Sequence, residues 1–186
     1  MKRLLMALVL SGTWLSPAFG ATASTTATAY EVEVLIFEAS LSEWEAGEVW
    51  TRENIQPPDM SQAIATGSVP TGSALANAAT ALQNDKRYRV LLHKRWVQNT
   101  ETKAVASPVQ LSTENKELEG IARFYVNRFL HVELNLVFQP AGGALGSSGT
   151  TNVYQINDQR RIKSQDLNYF DHPKFGVLVR VVPASG

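Results

Sequence analysis

From Leu130 to Phe138 every second residue is large and apolar: Leu130, Val132, Leu134, Leu136 and Phe138, with His131, Glu133, Asn135 and Val137 between them. A repeat of two is the spacing of a strand, whose successive side chains point to opposite faces. A helix would scatter the same apolar residues around its circumference. The segment therefore reads as a strand with one buried face, and a slip of one residue would turn that whole face into water. Just upstream, Gly120–Val126 is also strand-like, and Asn127–Phe129 is short enough to turn the chain. The two runs read as an antiparallel hairpin. Leu134 and Leu136 are expected in the core, with Glu133 and Asn135 much more exposed.

The rest of the chain fits around that hairpin. Tyr30–Phe37 alternates, with Val32, Val34 and Ile36 on one face, and reads as a strand. Ser42–Trp50 could form a short acidic helix. Gln56–Gly72 contains Pro57, Pro58 and Pro70 and reads as an irregular loop. Ser73–Asn84 is Ala-rich with Leu75, Ala79 and Leu82 spaced for one helical face, and Ser73 is placed to cap it. Tyr88–Gln98, Val153–Ile162 and Gly176–Val182 read as further strands, and Pro140–Thr151 as a glycine-rich loop. The expected fold class is α+β: mainly antiparallel β-sheet, a single sheet of about five or six strands, with one or two packed helices.

The first twenty residues follow another logic. Lys2 and Arg3 precede the apolar run Leu4–Leu10, and Ala18-Phe19-Gly20 places small residues before a cut. That order is the pattern of a secretory signal peptide. The apolar run is far shorter than the ~20 residues that span a bilayer. The expected organisation is a signal peptide over 1–20, a low-complexity tether over 21–29 and one domain over 30–183. Export, with no membrane span after cleavage, follows from it.

The chain has no cysteine, so an exported protein of this sequence must be stable without disulfides, and thiolate metal sites and cysteine nucleophiles are excluded. Its 17 bases balance 17 acids, and loss of Lys2 and Arg3 with the signal would leave 15 against 17. Such a balance gives no reason to expect nucleic acid, which demands a basic surface. The charges are unevenly spread. Residues 30–60 hold eight acids and one base, while 85–138 hold nine bases and six acids. Either the two regions neutralise one another within the fold, or a basic patch is left for an acidic partner.

No motif of catalysis stands out. There is no GxSxG elbow, no phosphate-binding glycine loop and no HExxH. The histidines, His93, His131 and His172, have no metal-ligand spacing, so neither metal nor cofactor is expected. The many acids of 30–60 make some carboxylate pair inevitable and carry no hydrolase signal. Two basic–aromatic clusters remain: Arg89, His93, Lys94, Arg95 and Trp96, then Arg160, Arg161 and Lys163 with Tyr169–Phe175. Guanidinium groups grip carboxylates in a fork, and aromatic faces suit sugar rings. From residue type, Arg89, His93, Arg95, Arg160, Arg161, Tyr169 and His172 are the candidate binding residues. Arg89 and Arg95, six apart, should share a face with His93, and Trp96 should point into the core. Asp171, Pro173 and Gly176 read as turn residues, since turn chemistry explains them unaided.

Four segments in order also resemble the CsiV family of exported peptidoglycan-binding proteins. They are YEVEVLIFE at the N-terminal strand, YRVLLHKRWVQ at 88–98, LEGIARFYVNRFLHVELNL at 118–136 and RRIKSQDLNYFDHPKFGVLVRVVP at 160–183. Residues 39–85 and 139–152 diverge, and the chain is compact for the family. The resemblance implies a periplasmic, noncatalytic protein that binds peptidoglycan. It further implies support for a bifunctional penicillin-binding synthase through that enzyme's outer-membrane lipoprotein partner. A protein-interaction module with weak wall binding and, from another class, a wall hydrolase are the competing readings.

Overall fold

The computed structural model describes residues 29–40, 55–140 and 153–184. The expected signal peptide, most of the tether, the acidic helix Ser42–Trp50 and most of the 140–151 loop lie outside them. The tether ends one residue early, because Ala29 already opens the first strand.

Among the described residues, eight strands and one helix follow in order. They are β1 (Ala29–Ala39), α1 (Ala76–Asn84), β2 (Tyr88–Asn99), β3 (Val109–Ser112), β4 (Leu118–Val126), β5 (Leu130–Phe138), β6 (Tyr154–Ile162), β7 (Leu167–His172) and β8 (Phe175–Pro183). They form two antiparallel four-stranded sheets, ordered β2-β1-β8-β7 and β3-β4-β5-β6. The α+β, mainly antiparallel class is as expected, but the single sheet is not: the strands divide into a sandwich. Alternation marks a strand as half-buried and is blind to which sheet the buried face meets.

The interior lies between the sheets. β1 contributes Tyr30, Val32, Val34 and Ile36, β8 contributes Phe175, Val177, Val179 and Val181, and β4 and β5 answer with Phe124, Leu134, Leu136 and Phe138. Tyr30 meets Phe124 with ring centres 5.4 Å apart, and Phe138 meets Phe175 at 5.5 Å. Leu134 and Leu136 are fully buried. Glu133 and Asn135 between them are half-buried rather than open. Trp96 is buried on the same interior.

The hairpin is as the alternation requires, in unbroken register from Leu118↔Phe138 to Val126↔Leu130. The helix begins two residues later than a Ser73 cap predicts, with Leu75 at the N-cap. Ser73 Oγ makes no hydrogen bond; instead Glu33, on β1, accepts from the Leu75 N–H at 3.2 Å. A buried carboxylate from the sheet thus does what a local cap would do. The helix lays Leu75, Ala79 and Leu82 over Leu35, Val90 and Leu178 on the outer face of the first sheet.

Residues 55–72 form no strand, yet they are tied down at intervals. Gln56 exchanges hydrogen bonds with Gln155 on β6. The Ile64 N–H donates to Pro108 O, and the Gln110 N–H donates to Ile64 O on β3. Ser68 and Arg95 exchange both backbone hydrogen bonds at 3.0 Å. The segment is therefore a strap that leaves the second sheet, crosses the β3 and β2 edges and delivers the chain to α1. Each bridge satisfies backbone groups at one point of an edge strand.

Candidate functional site

The middle cluster is divided by a β-bulge. In the β1–β2 ladder Ile36 faces Leu92 but Phe37 faces Val90, so Leu91 is the extra residue. One inserted residue reverses the alternation beyond it. Arg89 consequently lies opposite Glu38, whereas His93 and Arg95 lie opposite Leu35 and Glu33 on the other face. The expectation that Arg89 shares a face with His93 and Arg95 fails for this reason.

Each of these side chains is committed to an acid. Arg89 reaches Glu38 at 2.8 Å and grips Glu117 with both terminal nitrogens, at 2.7 and 3.0 Å. Glu117 immediately precedes β4, so this fork ties the first sheet to the second. The Arg89 guanidinium holds the Glu117 carboxyl below its usual range, and Glu117 in turn raises the arginine. His93 Nε2 donates to the buried Glu33 at 2.7 Å. Arg95 lies 3.6 Å from Glu31. Acids of β1 thus neutralise bases of β2, which is the intramolecular pairing that the charge distribution allowed. Lys94 points between the sheets and donates to Gln110 O at 3.1 Å.

The second cluster is also split. Arg160 lies opposite Val132 on the interior side of β6, and Arg161 lies opposite His131 on the outer side. Arg160 is held by Asp158, stacks 3.8 Å from the centre of the Phe170 ring and donates to Tyr169 O on β7. It closes the seam between the two sheets. His172 packs there too, with ring centres 5.4 Å from Tyr154 and Phe175. His172 Nδ1 accepts from the Lys174 N–H at 3.2 Å and so caps the β7–β8 turn, the role expected of Asp171. Asp171 instead accepts from the Tyr169 hydroxyl at 2.6 Å. Burial and this hydrogen bond push the Tyr169 phenol up. Tyr169 is 45% exposed and stacks nearly parallel on Phe37. Gly176 makes room, since a Cβ there would sit 2.6 Å from the Phe37 ring and 2.8 Å from Tyr169.

The seven candidates do not converge. His93, Arg95 and Tyr169 stand on the helix-bearing face, Arg89, Arg160 and His172 at the seams between sheets, and Arg161 on the far face. An open cleft of about 410 Å³ lies where the strap meets β2, lined by Glu31, Thr66, Gly67, Ser68, Arg95, Trp96 and Val97. Among the described residues no three His, Asp or Glu side chains gather as a metal site, and no helix is long and apolar enough to cross a membrane.

Arg161 has a neighbour that sequence reasoning treats only as a turn. Its guanidinium carbon sits 3.4 Å from the centre of the Phe129 ring, and that of Arg128 sits 5.4 Å from the same ring. Phe129 is 38% exposed. An aromatic residue at a hairpin turn, where burial is not expected, was the available signal.

A protein-family model described as "Peptidoglycan-binding protein, CsiV" matches residues 4–184 of the 186. No curated protein and no solved structure matches the chain.

Proposed function

The chain belongs to the CsiV family of peptidoglycan-binding proteins, and on that premise we propose that it is a noncatalytic wall-binding protein of the periplasm. The observation that carries this reading is the family match across 4–184. The basic–aromatic surface and the signal-like order of residues 1–20 support it. The active form is the single domain 30–183, released near Ala21. Of the candidate residues, Arg161 and Tyr169 are the best placed to meet the wall, being exposed and aromatic-associated. Arg95 borders the open cleft, while Arg89, His93, Arg160 and His172 serve chiefly to hold the sandwich together.

The same family membership supports a role in assisting a bifunctional penicillin-binding synthase and its lipoprotein activator. The second reading, a protein-interaction module that binds wall weakly, is favoured by one feature. Beyond Ser68 the strap leaves β2, and exposed Val97 lies on an edge that an extended chain could lengthen. Sedimentation with purified sacculi tests the main proposal. The protein is expected in the pellet with the muropeptide profile unchanged. Protein left in the supernatant would overturn wall binding, and newly cleaved muropeptides would overturn the noncatalytic assignment.

A further inference from the structure

We propose that the β4–β5 turn and the end of β6 form a carboxylate-binding subsite, built from Arg128, Phe129 and Arg161, that grips the peptide part of peptidoglycan. This deepens the wall-binding reading and rests on it.

Charge accounting singles the place out. Among the described residues, Arg87, Arg89, Arg95, Arg123 and Arg160 each have a carboxylate partner. Arg128, Arg161 and Arg180 have none; Arg180 donates to Gln165 O, whereas Arg128 and Arg161 converge on one exposed ring. A guanidinium stacked on an aromatic face is attracted through its plane and keeps its in-plane N–H donors. Those donors are the ones that engage a carboxylate in a fork. Nearby acids do not quench them. Glu133 is shared by Arg123 and Lys103, and Asp158 holds Arg160. Glu101 accepts from the Val126 N–H through its main chain and forms no ion pair with either arginine.

The turn is also firmly built. Phe129 O accepts from the Asn127 N–H at 3.2 Å and from His131 Nδ1 at 2.8 Å. His131 in turn lies flat on buried Tyr125, with ring centres 5.0 Å apart and planes 4° apart. A fixed ring with an arginine stacked on it presents a positive fork beside an apolar edge. That matches a carboxylate on a short peptide with small apolar side chains, more than it matches a broad anionic sheet.

The test is titration of the protein with a soluble disaccharide–peptide fragment of peptidoglycan, with its carboxylates free or amidated. R128Q/R161Q should bind the free form about tenfold or more weakly, the loss of one charge-assisted contact. Amidation should produce a similar loss in the wild type and little further loss in the variant. R180Q removes a described arginine elsewhere, one that donates to Gln165 O, and should bind as wild type. Should the double variant melt early, Arg161→Lys keeps the charge but not the fork, and should still bind several-fold more weakly. Equal binding by R128Q/R161Q or indifference to amidation overturns the subsite. So does an equal loss in R180Q, or capture of phosphatidylglycerol vesicles in place of the fragment. If wild type pellets with sacculi and the double variant pellets equally, only the subsite fails. If wild type does not pellet, the wall-binding reading fails with it.

Discussion

Arg89 shows how a half-exposed residue can matter to the interior. Its side chain keeps about half its surface in water, yet its partner Glu117 is buried and joined to it by two hydrogen bonds. Removing the arginine would leave a desolvated carboxylate without a partner. We expect Arg89→Ala to cost about 1–2 kcal/mol at neutral pH, toward the low end for a charged contact because Arg89 itself is solvated. The pH dependence follows from Glu117, whose pKa is depressed in the folded state, first by the Arg89 hydrogen bond. A depressed acid contributes stability above its unfolded pKa and loses it as pH falls through the folded one. The deficit of Arg89→Ala should therefore be full at pH 7 and shrink below about pH 4, near the unfolded carboxyl value. Urea titrations at both pH values check this, and a pH-independent deficit would contradict it. At the opposite extreme, Leu134 is fully buried and lies opposite Asp158 in the β5–β6 ladder. Leu134→Asp should prevent stable folding by burying an unpaired charge, and a native-like melting curve would show the face assignment to be wrong.

At the scale of elements, the strap carries the least regular backbone and depends on one glycine. Gly67 has φ +90°, and a Cβ there would lie 2.8 Å from Lys94 Cγ and 2.9 Å from Arg95 O. Both the left-handed backbone and the close approach to β2 require the missing side chain. Gly67→Ala should cost about 1–3 kcal/mol and free the Ser68–Arg95 bridge, seen as faster amide exchange at those two residues. Unchanged exchange would mean that the strap is held elsewhere. The strap also shows what a sequence can reveal. Pro57, Pro58 and Pro70 mark it as irregular, but no local pattern says that Ile64 and Ser68 will meet strand edges. In the same way, strict alternation identifies β5 at once, whereas the four residues of β3 are too few for a period. The extra Leu91 has no compositional mark, because a bulge is a property of pairing. That one residue undid the expected Arg89–Arg95 face. Arg161 could be picked out by residue type. For Phe129 the one mark was an aromatic side chain at a turn, and Arg128 had none, since a turn of three residues has no face until its strands are paired.

Taken as one molecule, the protein separates the arginines that hold it together from those left available. Glu31, Glu33 and Glu38 on β1 engage Arg95, His93 and Arg89 on β2, so the most basic stretch of sequence is largely neutralised within one sheet. Of the described arginines without a carboxylate partner, Arg128 and Arg161 gather on the other sheet around Phe129, while Arg180 on β8 donates to Gln165 O. Stability and wall binding should therefore respond to different substitutions. Arg89→Ala combined with Arg95→Ala removes contacts that join β2 to β1 and to Glu117. It should lower the unfolding midpoint while the protein, at a temperature where it remains folded, still pellets with sacculi. Arg128→Gln combined with Arg161→Gln removes no ion pair among the described residues. It should leave the unfolding free energy within about 0.5 kcal/mol of wild type, as surface changes usually do, while weakening pelleting. Pelleting by wild type should also fall with added salt, because exposed ionic contacts are screened over about 10 Å at 0.1 M. The separation would be refuted if the Arg89/Arg95 pair lost pelleting while melting like wild type. That result would place the wall on β2, and the bulge at Leu91 would then have to be accommodated by a ligand reaching both faces of one strand.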